Sequence, residues 1–435
     1  MTAPNGAIKF NNSTGHDTQS SGLGPAVAVY GSGASTTAGS ATVTGINTAG
    51  VSVGDLLWVQ SSSGRQFSII ASINVNGTEV TCDDTFANTE SGRTWAIGGK
   101  RATFDNADSR QCFTDSAGWT FETETDQSLT STLVQGDFSA VHTIRGSSGS
   151  RKTITQTIDD QTIQGSRTFS AILKLENLKF DNTASTKVNA VALHIARGLV
   201  AVDCIFGDAT NTLTSGLIRY ADKPRWSINR CVIQHCTSIG WGQGGSNFGG
   251  CNVEGCLFLS NGSDAMQTGQ NSCTVANSIF ANNAGDGIAI SNGSGGFFYK
   301  ISSNIFYNNS DAGIGYIASN AIDPISQVVD NIFVNNNYGV DRINDVPEIY
   351  DYNAFYNNTT ANYSDSTFAG ANDITLAADP FVNASGGDFN LNSGGGATLR
   401  ASNFAINTDT SVYPFRQYVS DDFGGGGGSV FHPLA

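Results

Sequence analysis

The chain has 435 residues, a formal net charge of −15, 51 glycines and only 14% charged residues. This composition is typical of a turn-rich β protein and argues against a mainly helical one. Because an acidic surface with few cations repels phosphate groups, the charge also argues against a nucleic-acid partner.

The first residues of the chain carry no recognisable targeting signal. Residues 1–6 contain neither a basic region nor an apolar core, so we expect no signal peptide. The sequence also lacks an apolar run of 18 residues, so no membrane span is predicted. We therefore expect a protein made in the cytoplasm that works outside the cell only after assembly into a particle such as a virion.

The N-terminal quarter differs from the rest of the chain. After a cap segment over residues 1–30, we predict a small β module over residues 31–103. Short apolar runs predict its strands, at residues 41–44, 56–59, 67–75, 78–82 and 94–97. The pair Asn76-Gly77 is a strong signal for a hairpin turn, which indicates that the module is antiparallel.

The second half of the chain repeats the phrase Asn-Ile-Phe-x-Asn-Asn. Its phenylalanine, or the apolar residue in its place, recurs every 22 to 27 residues, at positions 180, 206, 233, 258, 280, 306, 333 and 355. A fixed period with a slightly variable length is typical of a solenoid, in which each turn stacks on the previous one. We predict a parallel β-helix over residues 104–410 with three strands in each coil.

The repeat also predicts what each position does. Alternation along a short strand separates the Ile side from the Phe side, and stacking then forms a column of Phe258, Phe280, Phe306, Phe333 and Phe355. The Asn pair marks a turn, because Asn tolerates a left-handed backbone and its amide can bond to the next coil. Glycines then open the next strand, at positions 287, 313 and 339.

The cysteines follow the same register. Cys204, Cys231 and Cys256 lie two residues before their anchors, whereas Cys251 and Cys273 lie seven residues before theirs. Neighbouring coils lie roughly 4.8 Å apart, so bridges are within reach. Because a chain made in the cytoplasm usually keeps its thiols reduced, we expect reduced, buried cysteines. Neither the cysteines nor the histidines show metal-ligand spacing.

The repeat resembles the right-handed parallel β-helix, or pectate-lyase-like, superfamily. Residues 16–25 (HDTQSSGLGP) are similar to the opening segment of such proteins, and residues 378–391, with ADPFVN and GDFNL, resemble their closing motif. The N-terminal module is similar to modules in β-helix proteins encoded among phage structural genes. The resemblance implies an all-β fold, a right-handed parallel β-helix solenoid with a small antiparallel β module inserted near the N-terminus.

Three carboxylates are the candidate catalytic residues. Asp264 and Asp286 each follow an anchor by six residues and Asp311 follows one by five, which predicts a short acidic ladder. Carboxylates about 5 Å apart suit retaining glycoside hydrolysis or a Ca²⁺ site. The alternative is that they are turn residues facing water. Ca²⁺ is the only cofactor that the sequence suggests.

A basic and aromatic cluster is the candidate substrate-binding site. Its members combine cations with aromatic rings, as an anionic sugar would require, and they are Tyr220, Lys223, Arg225, Trp226 and Arg230. The alternative is a solvated basic rim at the end of a loop. The glycosidase and epimerase motifs of the superfamily are absent from the sequence, which lowers the case for an enzyme.

The C-terminal tail, residues 411–435, contains five consecutive glycines at 424–428 and ends in a short apolar peptide. It is either a disordered end or a docking peptide for a neighbouring subunit. These features together predict a virion structural protein of a phage: a spike, fibre or decoration subunit. Its partners would be other virion proteins, a host-surface glycan and two further copies in a homotrimer. The alternative is a carbohydrate-active enzyme, a polysaccharide lyase or a glycosidase.

Overall fold

The structure is a computed structural model of the chain. It describes residues 7–15, 19–102, 104, 118–130, 133–135, 141–148, 150–157, 162–165, 172–183, 189–193, 198–209, 213–219, 225–243, 250–268, 272–291, 298–317, 325–341, 349–365 and 369–401. The predicted tail at 411–435 lies outside these residues. The chain divides into two compact units, residues 1–186 with 195–197, and residues 187–194 with 198–435.

The first unit contains fifteen described strands. In chain order they are β1 (Ala7–Phe10), β2 (Val29–Thr36), β3 (Thr42–Thr44), β4 (Leu56–Ser61), β5 (Gly64–Ile73), β6 (Glu79–Cys82), β7 (Glu90–Ile97), β8 (Thr120–Thr123), β9 (Gln127–Leu129), β10 (Leu133–Gln135), β11 (His142–Gly146), β12 (Lys152–Gln156), β13 (Ile163–Gly165), β14 (Ile172–Glu176) and β15 (Leu178–Asn182).

Six of these strands form the predicted antiparallel module. They close on themselves in the order β2-β3-β6-β5-β4-β7. Strands β5 and β6 pair antiparallel on either side of the turn at Asn76-Gly77, as the sequence predicts. The interior is apolar and includes Val43, Leu57 and Ile70, each 0% exposed. Closure leaves no free sheet edge within the module, so it can be inserted in a solenoid without an edge prone to aggregation.

The other strands of the first unit form parallel ladders. Strand β8 pairs in parallel with both β1 and β11, β11 pairs with β14, and β12 pairs with both β9 and β15. Strand β1 therefore belongs to a coil although the antiparallel module separates it from β8 in sequence. Strands β8 and β11 are the first strands of this sheet after the antiparallel module.

The second unit contains the other described strands, and all but the last two belong to the parallel sheets. They are β16 (Val191–Leu193), β17 (Gly198–Val202), β18 (Ile205–Phe206), β19 (Leu217–Arg219), β20 (Arg225–Asn229), β21 (Val232–Gln234), β22 (Trp241–Gln243), β23 (Cys251–Glu254), β24 (Leu257–Leu259), β25 (Met266–Thr268), β26 (Cys273–Ala276), β27 (Ile279–Ala281), β28 (Ile288–Ser291), β29 (Phe298–Ser302), β30 (Ile305–Tyr307), β31 (Ala312–Ile317), β32 (Ile325–Val329), β33 (Ile332–Val334), β34 (Tyr338–Asp341), β35 (Ile349–Asp351), β36 (Ala354–Tyr356), β37 (Ala361–Tyr363), β38 (Ile374–Thr375), β39 (Phe381–Asn383) and β40 (Asp388–Leu391). A short helix, α1 (Gly395–Ala401), follows them.

Each coil of the second unit contributes one strand to each of three parallel sheets. We call them sheets 1, 2 and 3. Sheet 1 runs from β17 through every third strand to β35, sheet 2 runs from β18 to β36 and ends with β38, and sheet 3 runs from β16 to β37. This arrangement confirms the predicted fold class, a parallel β-helix with a small closed antiparallel sheet near the N-terminus.

The predicted phenylalanine column lies inside the coils. Phe258, Phe280, Phe306, Phe333 and Phe355 are each at most 1% exposed. Consecutive rings stack with centroids 4.7 to 5.1 Å apart. The column also explains the glycines, because a Cβ on Gly313 would lie 2.5 Å from Cδ1 of Phe333. Glycine is therefore required where the ring of the next coil crosses the start of a strand.

The Asn pair has the two roles that the sequence predicts. The first Asn adopts the left-handed backbone, as at Asn282 (φ 57°) and Asn308 (φ 51°). The second is buried and bonds to the next coil, as Asn309 does. Its Nδ2 donates to Oδ1 of Asn336 at 2.9 Å and to the carbonyl of Phe280 at 3.0 Å. Because a buried amide without partners is costly, this ladder both satisfies the turns and fixes their register.

A second feature covers the outer face of sheet 2. The Ile side of the repeat points out of the coil, yet Leu257, Ile279 and Ile332 are at most 2% exposed. They form one cluster with apolar residues of the C-terminal segment, which include Leu376, Phe381 and Leu399. We call residues 374–401 the strap, because they supply the apolar cover that this face needs.

One prediction about the cysteines is wrong. Cys251 and Cys273 pair in register on β23 and β26 and form a disulfide with their Cα atoms 4.5 Å apart. Cys204, Cys231 and Cys256 stack in consecutive coils as predicted and remain thiols. The in-register pairing of these two cysteines thus allows a disulfide between neighbouring coils. No helix in the described part of the chain is long and apolar enough to cross a membrane.

Candidate functional site

The acidic ladder lies at the corner where each coil passes from sheet 2 to sheet 3. Asp264 lies two residues before the first residue of β25, and Asp286 lies two residues before that of β28. The backbone N–H of Asp286 donates to Oδ1 of Asp264 at 2.9 Å, and the N–H of Ala312 donates to Oδ1 of Asp286 at 2.8 Å. Each carboxylate therefore binds the backbone of the next coil and helps to hold the two coils together.

Asp311 lies next to this ladder and is not a member of it. Ala312 occupies the position equivalent to Asp286, so Asp311 precedes it by one residue, and its backbone N–H donates to the carbonyl of Gly285 at 3.3 Å. Its side chain is exposed. The offset is visible in the sequence, because Asp311 follows its anchor by five residues whereas Asp264 and Asp286 follow theirs by six.

Asp286 is the most buried of the three carboxylates, at 8% exposure. It lies against Gly315 of β31, where a Cβ would come close enough to clash with its Oδ2. Gly315 pairs with Asp341 of β34, so the corner contains a fourth carboxylate. Sequence analysis missed both residues, because Gly315 and Asp341 have no special place in the repeat phrase and act only through Asp286.

The environment of the corner favours protonated carboxyls. Burial raises the pKa of Asp286 to about 7. The N–H of Ala312 opposes this rise, and the negative charges of Asp264, Asp311 and Asp341 add to it. Burial likewise raises the pKa of Asp264, against the hydrogen bond from Asp286 and with a contribution from Asp311. A carboxyl with a pKa near neutrality can donate or accept a proton at physiological pH.

Two members of the basic cluster have described side chains. Arg230 occupies the left-handed turn between sheets 1 and 2 (φ 51°). Its Nε and one terminal nitrogen each donate to the carboxylate of Asp203 at 2.8 Å. This two-point pair on the preceding coil neutralises Arg230, although half of its side chain is exposed. This pair was not predicted from the sequence, because it depends on Arg230 and Asp203 lying at equivalent turns of neighbouring coils.

Trp226 points into the coil and not toward solvent. It is 1% exposed, and its ring stacks on that of Trp241 with centroids 5.6 Å apart and an angle of 10° between the planes. A sugar platform must present a ring face to the ligand, so the buried Trp226 does not provide one. Tyr220 and Lys223 lie outside the described residues. Arg225 is described only as the first residue of β20.

The part of the chain described by the structure contains no group of three or more His, Cys, Asp or Glu side chains arranged to hold a metal ion. The corner carboxylates instead bind backbone N–H groups through Asp264 and Asp286. The Ca²⁺ site that the sequence suggested stays a prediction.

Comparisons with known proteins give neighbours in structure and none in sequence. No known family profile and no curated protein sequence matches the chain. Among solved structures, the chain is similar to the Dettilon tailspike protein, with 11% identity, a TM-score of 0.31 and coverage of 61% of this chain. It spans 63% of that tailspike chain.

Two further neighbours are carbohydrate-active enzymes. The pectin methylesterase from Aspergillus niger is 15% identical, with a TM-score of 0.32 and coverage of 64% of this chain and 88% of that one. A PL6 family alginate lyase is 11% identical, with a TM-score of 0.22 and coverage of 63% and 53%. At TM-scores below 0.5 these likenesses assign no role to this chain. Its parallel β-helix is shown by the order of its own strands.

Proposed function

We propose that this protein is a structural component of a phage virion, as a spike, fibre or decoration subunit. The observation that carries the proposal is the use of the corner carboxylates. Asp264 and Asp286, which a glycosidase would need for catalysis, accept backbone N–H groups of the next coil at 2.9 and 2.8 Å. The same polar side chains that could do chemistry thus hold consecutive coils together.

The interior of the second unit supports the same proposal. From the coil of Phe258 to that of Phe355, each coil repeats the stacked ring and the side-chain amide ladder, and neighbouring coils contact each other through equivalent residues. In such a solenoid, stability comes from nearest-neighbour contacts that are repeated along the chain. A dense, repeated interior of this kind resists local opening and proteolysis, as a component exposed outside the cell requires.

The partners in this proposal are other virion proteins and a glycan on the host surface, with three copies of the chain in one assembly. The net charge of −15 favours partners other than nucleic acid. Sedimentation velocity of the purified chain tests the trimer, because a single species at the mass of one chain would exclude it. The test of location is immunogold labelling of purified phage particles with an antibody against the recombinant protein. Unlabelled particles in a preparation that contains the protein would refute the structural role.

A second candidate function is a carbohydrate-active enzyme, and one observation favours it. The carboxyl of Asp286, with its pKa raised by burial to about 7, is near a second carboxyl, Asp264. Pairs of carboxyls with different proton affinities can act as general acid and base on a glycosidic bond.

Incubation of the protein with a panel of acidic and neutral polysaccharides separates the two functions. Release of reducing ends, or of unsaturated products that absorb in the ultraviolet, supports the enzyme if Asp286→Asn abolishes it. Asp311→Asn, which changes an exposed carboxylate of the same corner, is the matched control. Absence of products from every polysaccharide supports the structural role.

A further inference from the structure

Three cysteines occupy one position of three consecutive coils. Cys204, Cys231 and Cys256 each directly precede a strand of sheet 2 and are 0% exposed. The N–H of Val232 donates to the carbonyl of Cys204, and the N–H of Leu257 donates to that of Cys231, both at 2.9 Å. The three residues are therefore stacked directly on one another, one strand spacing apart.

In later coils this position ties one coil to the next through side chains. The N–H of Ser278 donates to Oδ1 of Asn304 at 2.9 Å, and Nδ2 of Asn304 donates to Oδ1 of Asn331 at 3.1 Å. A cysteine has no amide and is only a weak donor, so it cannot form this ladder. At this position the cysteine coils thus lack the amide-to-amide bond of the asparagine coils, and the tie to the coil after Cys256 is the bond from its backbone N–H to Oγ of Ser278 at 3.1 Å.

The thiols instead make weak contacts. Cys231 donates to the carbonyl of Asn229 in its own coil, with 3.3 Å between sulfur and oxygen, and Cys256 donates to that of Glu254 at 3.4 Å. The thiol of Cys231 also interacts with the thiols of Cys204 and Cys256 on either side. The middle sulfur therefore has two potential bonding partners.

The second unit already contains a bridge of the required kind. Cys251 and Cys273 belong to adjacent coils, pair in register and form a disulfide with a Cα–Cα distance of 4.5 Å. This distance lies within the usual range for disulfides. The spacing of neighbouring coils in this chain therefore allows a bridge between cysteines that pair in register.

We propose that Cys231 is an oxidation site that forms an intramolecular disulfide with either Cys204 or Cys256. The oxidant is a low-molecular-weight disulfide such as oxidised glutathione. The protein thiols lose two protons and two electrons as the S–S bond forms, and the small disulfide takes both and becomes two thiols. Because Cys231 has a single sulfur, only one of the two bridges forms in each molecule, and the third cysteine stays a thiol.

Burial controls the rate of this reaction. It raises the pKa of the Cys231 thiol well above the usual range, so little reactive thiolate is present at neutral pH. Oxidation is therefore slow in the folded protein and accelerates with rising pH or with local opening of the coils. A chain made in a reducing compartment would acquire the bridge after it moves to an oxidising one.

Differential alkylation of the full-length protein tests the proposal. The purified protein is incubated with oxidised glutathione at pH 8.5, its thiols are blocked under denaturing conditions, and the disulfides are then reduced and labelled with a heavy reagent. Mass spectrometry gives the oxidised fraction of each cysteine. Once the incubation is long enough for the oxidised fractions to stop rising, we expect Cys231 to be oxidised in most molecules, with the fractions of Cys204 and Cys256 adding up to that of Cys231.

Variants provide the controls. Cys231→Ser should leave both neighbours as thiols, whereas Cys236→Ser, which changes a buried thiol outside the stack, should leave the pattern unchanged. Cys204→Ser should direct all oxidation of Cys231 to Cys256, and it serves if Cys231→Ser fails to fold. The proposal is overturned if Cys231 stays reduced, if it carries only glutathione, or if its neighbours are oxidised equally in Cys231→Ser.

Discussion

The carboxylate of Asp373 accepts the backbone N–H of Asn353 at 2.7 Å. This contact ends the amide ladder that runs through Asn304, Asn331 and Asn353, in which each residue donates to Oδ1 of the next. A carboxylate only accepts hydrogen bonds, so it completes the ladder and leaves no donor without a partner at the last coil. Oδ2 of Asp373 also accepts a hydrogen bond from the hydroxyl of Tyr363, with 2.6 Å between the two oxygens.

Replacement of Asp373 by Ala should therefore destabilise the last coil. It removes the acceptor of Asn353, of Tyr363 and of the N–H of Gly370. We expect a loss of roughly 2–4 kcal/mol in the free energy of unfolding, measured by denaturant melts. Asp388→Ala, which removes an acidic side chain near Asn390, is the control and should cost below about 1 kcal/mol. Equal losses in both variants would contradict the capping role.

Phe306→Ala tests the aromatic column. The ring is 0% exposed and stacks on Phe280 and Phe333, with centroids 5.0 and 4.9 Å away. Its removal leaves a cavity and two unsupported rings, which should cost about 3–5 kcal/mol. Phe298→Ala, at a ring that is 41% exposed, is the control and should cost about 1 kcal/mol or less. A small effect at Phe306 would mean that the column contributes little to stability.

Two adjacent asparagines should respond very differently to substitution. Asn309→Ala removes an amide that donates to Asn336 and accepts from Nδ2 of Asn283 at 2.8 Å, both in the buried ladder. We expect a loss of about 2–4 kcal/mol, because the buried amide of Asn283 loses its acceptor while Oδ1 of Asn336 and the carbonyl of Phe280 lose their donor. Asn308→Gly keeps the left-handed turn (φ 51°) and should change stability by only about 0.5 kcal/mol. Similar losses at both positions in thermal or denaturant unfolding would refute the division of roles.

Asp286→Asn should change how stability depends on pH. Burial raises the pKa of Asp286 to about 7 in the folded chain, above the ordinary value of 3.8 for an aspartate. Between these values the folded state holds the proton more tightly than the unfolded state, so stability falls as pH rises from about 4 to 7 and stays low above that. The amide cannot ionise, and its oxygen can still accept the N–H of Ala312.

The variant should therefore match the wild type near pH 4 and exceed its free energy of unfolding by roughly 2–4 kcal/mol at pH 8. Urea unfolding at pH values from 4 to 8 measures this difference. Asp311→Asn, at an exposed carboxylate, should leave most of the slope in place. A wild-type curve that rises from pH 4 to 7 would contradict the raised pKa.

Much of the coil could be predicted from the sequence because the repeat places equivalent residues in contact. The stacking of Phe280 on Phe306 and the left-handed turn at Asn308 both follow from their positions in the phrase. The direction of the Asn side chains and the role of Gly313 follow from the same register. A contact that recurs in every coil is visible in one sequence as a pattern.

Contacts made once leave no such pattern. The strap reaches sheet 2 through Phe381 and Phe389, and Phe389 packs against Tyr307 with ring centroids 5.6 Å apart, across more than 80 residues of sequence. The stacking of Trp226 on Trp241 joins two different sheets, so the spacing rule for one sheet did not place it. The acidic corner was predicted as a group, but Gly315, which packs against Asp286, and Asp341, whose charge adds to the rise in its pKa, are brought near it only by the fold.

The strap also limits how the repeat can change in evolution. The ladders within the coils would accept the insertion or loss of a whole coil, because each of Asn283, Asn309 and Asn336 makes the same bonds to its neighbours. The outer face of sheet 2 would not accept an added coil, because a strap of fixed length covers a fixed number of its apolar residues. An added coil would expose a new hydrophobic stripe to water. The length of the C-terminal segment therefore limits the number of coils whose outer face can be covered.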